Sequence, residues 1–412
     1  MRFMRRIILA ILILGFIACE DNEVIVCPAD GTIELDSLVS ANVQFTTQLL
    51  EALSNDNTHQ DENIIISPVS LQIALYMTLN GAEGSTEAEM AQTLGIAQND
   101  CNLHNEGTSS LLNSLSTSDE GTKLELNQGA FYDESKISLN TAFQQNLEDF
   151  YETEFSKLDF NSDEAVDEIN GWVADKTEDR ITKVIEEIDP VEALFLINAL
   201  YLKGDWENGF PEYSLRPAPF NFLDGSTIDV DMMSLDSERL YKQSENFEAV
   251  SMPLKGGDIA VQFYLPRNNG TLSDFLSSIS DTELNDILQY NSAEGFNNTR
   301  IFFQMPKFAL KGKYHLNEIL KSMGMVEAFN PGGANLTDIG TGAGNIFINR
   351  VLHDTYLKVD EKGVEGAAVT TVGIGITSAP PVVNLNRPYF FTIVHVPTNS
   401  LVFTGYIVDP RS

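Results

Sequence analysis

Residues 361–381 of this 412-residue chain read EKGVEGAAVTTVGIGITSAPP, and they are the most informative stretch of the sequence. They carry neither charge nor proline between Gly366 and Ala379, although the chain has a formal net charge of -35. Small and β-branched residues of this kind suit a pleated strand. With a period of two, one face of that strand is small or apolar and consists of Val364, Gly366, Ala368, Thr370, Val372, Ile374 and Ile376. Because such a segment recruits other strands when exposed, it is either buried or kept out of a sheet until an event admits it.

Two separate motifs in this region resemble the serpin family. The residues EKG at 361–363, followed by Glu365, are similar to the hinge of a serpin reactive-centre loop. The block RPYFFTIVHVPTNSLVFTGYIVDP at residues 387–410 is similar to the serpin C-terminal strands. Counting forward from the hinge and backward from the block places the expected cleavage at the same bond, Thr377–Ser378. The resemblance implies an α+β serpin fold, in which three β-sheets with surrounding helices carry an exposed loop that can insert into the main sheet.

The segment NIIISPVSLQIALYMTLNGAEGST, residues 63–86, predicts a buried helix. Ser67 is placed as its N-cap, Pro68 suits the first helical position, and Gly81 can close the helix. Because no charge occurs from residue 63 to residue 82, the helix is apolar on all sides and needs a buried position. Its opening resembles the central helix behind the main sheet of serpins.

Other segments extend the resemblance to about residues 36–410. Ser162 is placed to cap a helix, and NGWVADKTEDRITKVI at residues 170–185 resembles the serpin helix that crosses the front of the main sheet. Residues 193–202 and residues 301–310 are each predicted to form one strand. Helices in one region and strands in another indicate an α+β chain rather than alternating β/α units.

Residues 1–18 are predicted to be a signal peptide, since three arginines precede an apolar run that is short for a bilayer span. The site before Cys19 resembles a bacterial lipoprotein cleavage site, so Cys19 is the predicted lipidated residue. Residues 19–34 then form a tether and residues 35–412 the serpin domain. We expect secretion across the inner membrane and lipid anchoring to the outer membrane or cell surface. Because Phe16 replaces the usual leucine, a soluble extracellular or periplasmic form is the alternative.

Charge and cysteine content restrict the partners. A chain this acidic repels nucleic acid, and no cluster of Lys or Arg indicates a heparin site. Metal-ligand spacing and cofactor motifs are missing from the sequence, so neither a metal nor a cofactor is predicted. Cys27 and Cys101 can form a disulfide in an oxidising compartment or remain thiols. We expect a monomer whose partners are its target proteases.

The sequence lacks the common catalytic motifs of enzymes. It has five histidines and lacks G-x-S-x-G, H-E-x-x-H and a Walker lysine, and GTGAG at residues 340–344 reads as a loop. Ser67, Asn198 and His353 could be mistaken for a nucleophile set, but each sits in an apolar run where a polar group needs a hydrogen bond. By resemblance these residues and Ser70 form the serpin shutter, a polar cluster beneath the centre of the main sheet. The sequence therefore indicates a protein that is not an enzyme.

The resemblance also implies where the loop enters the sheet. Lys307 and Glu361 match serpin positions that pair at this point, near Trp206, and we name these three residues the breach. An ordinary surface ion pair is the alternative interpretation. Val364 and Val369 replace residues usual in the family, and we expect Val364 to face inward and Val369 outward. The complete hinge is Glu361, Lys362, Gly363, Val364, Glu365, Gly366, Ala367, Ala368, Val369 and Thr370.

The mechanism implied by the resemblance is suicide inhibition. A protease forms an acyl-enzyme with Thr377, the cut loop inserts into the sheet, and the attached protease is displaced and distorted. Small, β-branched Thr377 favours elastase-like or subtilisin-like serine proteases, and Ile376 also suits papain-like cysteine proteases. The alternatives are a non-inhibitory serpin with a carrier or structural role and an unrelated acidic surface-binding lipoprotein. The bait residues around the bond are Ile374, Gly375, Ile376, Thr377, Ser378 and Ala379.

Overall fold

The computed structural model describes residues 32–96, 103–119, 121–289, 295–365 and 380–411. Within these ranges the helices are α1 (Thr32–Asn55), α2 (Pro68–Leu79), α3 (Gly84–Thr93), α4 (Leu103–Leu115), α5 (Thr141–Tyr151), α6 (Asp163–Lys176), α7 (Leu272–Ser278), α8 (Asp281–Leu288) and α9 (Asn317–Ser322). None of these helices is both long enough and apolar enough to cross a membrane.

The strands of the same ranges are distributed along the whole chain. They are β1 (Ile64–Ile66), β2 (Thr117–Asp119), β3 (Thr122–Tyr132), β4 (Ile137–Leu139), β5 (Glu154–Lys157), β6 (Leu194–Asp205), β7 (Arg216–Asn221), β8 (Thr227–Gln243), β9 (Phe247–Pro253), β10 (Ile259–Pro266), β11 (Asn297–Pro306), β12 (Phe308–His315), β13 (Gly340–Gly342), β14 (Leu352–Val359), β15 (Gly363–Val364), β16 (Val382–Asn384), β17 (Tyr389–His395) and β18 (Ser400–Ile407).

Among the described residues, strand pairing produces three sheets. The main sheet has the order β12-β14-β15-β6-β3-β2, with β5 paired to β3. The second sheet has the order β1-β18-β17-β10-β9-β8-β11-β16, with β7 paired to β8. The third sheet joins β13 to β4, so residues 340–342, which were predicted to be a loop, form a short strand. Three sheets with surrounding helices confirm the predicted α+β architecture.

Helix α2 packs against β6 of the main sheet and β18 of the second sheet. The side chain of Ser67 accepts a hydrogen bond from the Ser70 N–H and caps the helix. Asn80 is the C-cap, and Gly81 follows it where the chain passes close to another segment. A Cβ at Gly81 would lie 2.0 Å from Cγ1 of Ile339. This apolar helix therefore occupies the buried position that its sequence predicts.

Helix α6 lies across the front of the main sheet. Its N-cap is Ser162, whose hydroxyl accepts a hydrogen bond from the Glu164 N–H at 3.2 Å. Ile169 is buried in a small apolar cluster with Phe131 of β3 and Ile185. The cluster fastens the inner face of α6 to the sheet, because apolar area is removed from water on both sides of the contact.

The single strand predicted for residues 301–310 is wrong, because this stretch belongs to two strands in different sheets. β11 ends at Pro306 in the second sheet, and β12 begins at Phe308 in the main sheet. Proline has no N–H with which to continue a ladder. The buried side chains also change from odd positions before Lys307 to even positions after it. That change of phase marks the crossing.

Candidate functional site

A cleft separates β6 from β14 in the middle of the main sheet. Among the described residues these strands form no ladder with each other, and only the two-residue strand β15 pairs with both. Beyond β15 a cavity of about 600 Å³ extends between them. It is lined by residues of α2, of β6, and of β14 with the segment that precedes it, and most of these side chains are apolar. We call the end at β15 the upper end of the cleft.

Strand β15 consists of Gly363 and Val364 of the predicted hinge, and it lies inside the main sheet. Gly363 pairs with Asp205 and Val364 with Gly204 of β6, while Val364 also pairs with Val359 of β14. The side chain of Val364 is buried at 1% exposure. A Cβ at Gly363 would lie 2.0 Å from the carbonyl oxygen of Gly204, so this close backbone approach requires glycine.

The three residues predicted to form the breach meet at the upper end. The backbone N–H of Trp206 donates to the Lys362 carbonyl at 2.8 Å, and its indole N–H donates to the Asp360 carbonyl at 3.0 Å. Lys307 Nζ lies 3.6 Å from Glu361 Oε2, and the Glu361 side chain is only 16% exposed. These contacts hold the chain just before β15 and direct it into the cleft.

Glu365 is held by a group of side chains that the sequence did not reveal, which we name the latch. Its backbone has φ of 57°, a left-handed conformation that is strained for a residue with a Cβ. Its carboxylate is 4% exposed, forms an ion pair with Arg180, and lies 3.0 Å from the hydroxyl of Tyr201. That hydroxyl also lies 3.0 Å from Glu178. Burial, reinforced by hydrogen bonding to Glu365, raises the pKa of Tyr201.

The predicted shutter residues lie on the inner side of the cleft. The Ser67 N–H donates to His353 Nε2 at 3.0 Å, which links α2 to β14. The Ser70 hydroxyl donates to Asn198 Oδ1, which links α2 to β6. Asn198 Nδ2 is buried and has no hydrogen-bond partner among the described residues. Burial lowers the pKa of His353 to about 4, so the imidazole is neutral and can accept the Ser67 hydrogen bond.

Two side chains that sequence reasoning missed extend this cluster to the second sheet. Tyr314 of β12 accepts a hydrogen bond from the Ile65 N–H at 2.8 Å, and Thr355 of β14 donates to the Ile65 carbonyl at 2.8 Å. Thr355 follows His353 by two positions, so the strand period already placed both on one face. The contact with Tyr314 has no local signal, because the two chain segments meet only after folding.

Comparison with known proteins identifies this arrangement. A family model described as serpin (serine protease inhibitor) matches residues 40–410. The chain belongs to the serpin family. Serpin A3-2 of Bos taurus is 29% identical, over 98% of this chain and 97% of its own length. The native-state structure of the thermophilic serpin tengpin matches with a TM-score of 0.80 and 29% identity, covering 90% of this chain and 94% of that one.

A further solved serpin-like structure shows the fold alone. Human thyroxine-binding globulin matches with a TM-score of 0.81 and 24% identity, covering 92% of this chain and 100% of that one. Serpins are generally protease inhibitors rather than enzymes. Family membership also excludes the hypothesis of an unrelated acidic lipoprotein.

Several predicted residues of this serpin lie outside the described ranges, and their roles remain predictions. Helix α1 begins at Thr32, inside the segment predicted to be a tether.

In the described part of the chain, no group of three or more His, Cys, Asp or Glu side chains could hold a metal ion. The residues outside the described ranges are Cys19, Cys27, Cys101, the hinge residues 366–370 and the bait residues 374–379, which include Thr377 and Ser378.

Proposed function

We propose that this serpin inhibits serine proteases by trapping them after cleavage of the Thr377–Ser378 bond. The observation that carries the proposal is the position of β15, where the hinge already enters the main sheet between β6 and β14. The cleft continues beyond β15, and its two walls can pair with an added strand on either side. The remaining loop can therefore extend a strand that has already begun.

Continuing the register of β15 gives a place for each loop residue after insertion. One-to-one pairing along both walls would bring Thr370 between Asn198 of β6 and His353 of β14. With a period of two, its side chain would face inward like that of Val364. There its hydroxyl could accept a hydrogen bond from Asn198 Nδ2, which has no partner among the described residues. This match between loop and shutter supports the proposal.

The proposed reaction starts as ordinary proteolysis. The protease serine attacks the Thr377 carbonyl carbon, and the Thr377–Ser378 peptide bond breaks. Ser378 becomes a new amino terminus, taking a proton from the general acid of the protease, while Thr377 remains as an ester of the protease serine. Insertion of the freed loop then carries the protease to the far end of the cleft before water hydrolyses the ester. Burial of the apolar loop face and new backbone pairing drive this movement.

The residues around the bond suggest the class of target. Thr377 is small and uncharged, so an elastase-like or subtilisin-like protease accommodates it better than one that requires Lys, Arg or a large aromatic residue. Ile376 would also suit the apolar pocket of a papain-like cysteine protease. Lipidation at Cys19 would place the inhibitor at the cell envelope, where it would meet proteases from outside the cell.

The test uses a form that begins after Cys19, incubated with an elastase-like protease at a slight excess of inhibitor. We expect a band on a denaturing gel that survives boiling and has the summed mass of both proteins. The released peptide should begin at Ser378 by mass spectrometry. As a matched variant, Thr377→Arg should lose elastase trapping and gain trapping of a trypsin-like protease. A clean cut that leaves the protease active would instead support the non-inhibitory alternative.

A further inference from the structure

An ion pair joins the two walls of the cleft at its lower end. Arg350, just before β14, places Nε and Nη2 at 2.7 and 2.9 Å from the two carboxylate oxygens of Glu192, just before β6. The side chain of Glu192 is 4% exposed and that of Arg350 is 23% exposed. The guanidinium also lies 5.5 Å from the centre of the Phe195 ring in β6. The Arg350 side chain therefore spans from one wall to the other.

Neighbouring groups hold both partners of the pair in place. The Glu192 carboxylate accepts hydrogen bonds from Asn349 Nδ2 at 3.0 Å and from the Asp189 N–H at 2.8 Å. Arg350 Nη2 donates to the Glu187 carbonyl at 2.7 Å. The contact between Arg350 Nη2 and Glu192 Oε2 is a charge-assisted hydrogen bond, and Nε lies at ion-pair distance from Oε1 without donating to it. The pair is thus a defined link with a buried acceptor, unlike a mobile surface contact.

The link lies in the path of an inserting strand. Neighbouring strands are about 4.8 Å apart, so a strand between β6 and β14 needs a separation of roughly 10 Å along its whole length. Continuing the register of β15 brings Gly373 to the level of Phe195 and Arg350, and Ile376 to the level of Glu192. The upper part of the loop can insert without meeting the pair, whereas the last residues need the space that Arg350 spans.

We infer that Glu192 and Arg350 form a clamp that must open before the loop inserts fully. The inference rests on the proposed function and deepens it. Full displacement of an attached protease requires the last part of the insertion, and that step competes with hydrolysis of the ester. The strength of the clamp therefore sets the fraction of encounters that end in trapping.

The test follows annealing of the synthetic peptide GAAVTTVGIGI, residues 366–376, to the intact serpin without any protease. Arg350→Met keeps an apolar side chain near Phe195 but removes the hydrogen bonds, and Glu192→Gln removes the charge of the partner. We expect each variant to anneal the peptide about tenfold faster than wild type, because the native cleft loses a link that the inserted state lacks. The double variant should be no faster than either single variant, since both remove one interaction.

Matched variants separate this effect from a general loss of stability. Arg300 and Asp236 form a guanidinium–carboxylate pair on the second sheet, with two hydrogen bonds at 2.8 and 3.0 Å and side chains 38% and 42% exposed. Arg300→Met should leave the annealing rate within about twofold of wild type. Arg350→Lys keeps the positive charge but lacks the planar guanidinium, so it should give an annealing rate between those of wild type and Arg350→Met. If Arg350→Met does not fold, Arg350→Lys still tests the clamp.

The outcomes separate the clamp from the proposed function. Wild-type annealing rates in both single variants, or independent effects that multiply in the double variant, would overturn the clamp. If the wild-type serpin binds no peptide and gains no heat resistance after its loop is cut, insertion does not occur and the proposed function fails as well. If wild type does both while Arg350→Met and Glu192→Gln leave its rate unchanged, the clamp alone fails.

Discussion

We predict that Asp354→Asn makes the serpin less stable in acid than wild type. In wild type, protonation of Asp354 offsets part of the stability that the fold loses because His353 stays neutral. Asp354 and His353 are neighbours on β14, and folding moves their pKa values in opposite directions. Burial lowers the pKa of His353 to about 4. Burial raises the pKa of Asp354 to about 6, a change that Lys313, opposite it on β12, partly offsets.

The magnitude follows from the reference pKa values of about 6.5 for His and about 3.9 for Asp. As the pH falls from 6.5 to about 4, the unfolded chain binds a proton at His353 that the folded chain does not bind, so folding loses about 3 kcal/mol. As the pH falls from about 6 to 4, the folded chain holds a proton on Asp354 that the unfolded chain lacks, so folding gains stability. Solvent at this partly exposed carboxyl reduces that gain to about 2 kcal/mol.

The assay is urea unfolding of wild type and Asp354→Asn, followed by tryptophan fluorescence at several pH values from 7 to 4. Relative to wild type, Asp354→Asn should lose about 2 kcal/mol of unfolding free energy across this range. Asp236→Asn, at an exposed carboxylate, is the control and should not show this loss. Parallel pH profiles for Asp354→Asn and wild type would refute the reasoning. A His353 imidazole resonance that titrates near pH 6.5 would refute it independently.

Three further predictions concern loop insertion. Gly363→Ala would bring a Cβ within 2.0 Å of a backbone oxygen of β6, so we expect trapping to fall at least about tenfold and clean cleavage to replace it on a denaturing gel. Arg180→Gln removes the ion pair that holds the hinge, so conversion of the uncut serpin to a heat-resistant form should be several-fold faster; an unchanged rate would contradict this role. Thr370→Val should lower the unfolding free energy of the cleaved form by about 1 kcal/mol through loss of the hydrogen bond to Asn198, whereas Thr371→Val, on the opposite face, should not.

Elements with a strong local pattern were predictable from the sequence. The buried helix α2 follows from an uncharged segment with Ser67 and Pro68 at its start; it is buried as expected, and the structure adds its contact with β18 of the second sheet. The crossing at Lys307 was misread as one continuous strand, because an apolar run does not by itself show which sheet its strands join. Pro306, which has no N–H to continue a ladder, was the signal available.

The latch and the clamp could not be predicted in the same way. Tyr201 and Glu365 are 164 positions apart, and Arg350 and Glu192 are 158 positions apart. In a chain with 60 acidic residues, most Arg and Lys side chains have a carboxylate nearby in sequence, so charge pattern does not identify the partner. Only the packing of α6 and the strand order bring these groups together.

The sequence by itself determined the serpin resemblance, the apolar face of the loop, and the polar residues beneath the sheet, because each depends on residue type and local spacing. The tertiary structure decided that Gly363 and Val364 are already in the sheet, that the cleft beyond them is open, and that an ion pair spans its lower end. The physical reason is that strand pairing and buried ion pairs depend on distances between remote segments. Those distances are set only when the sheets and helices pack together.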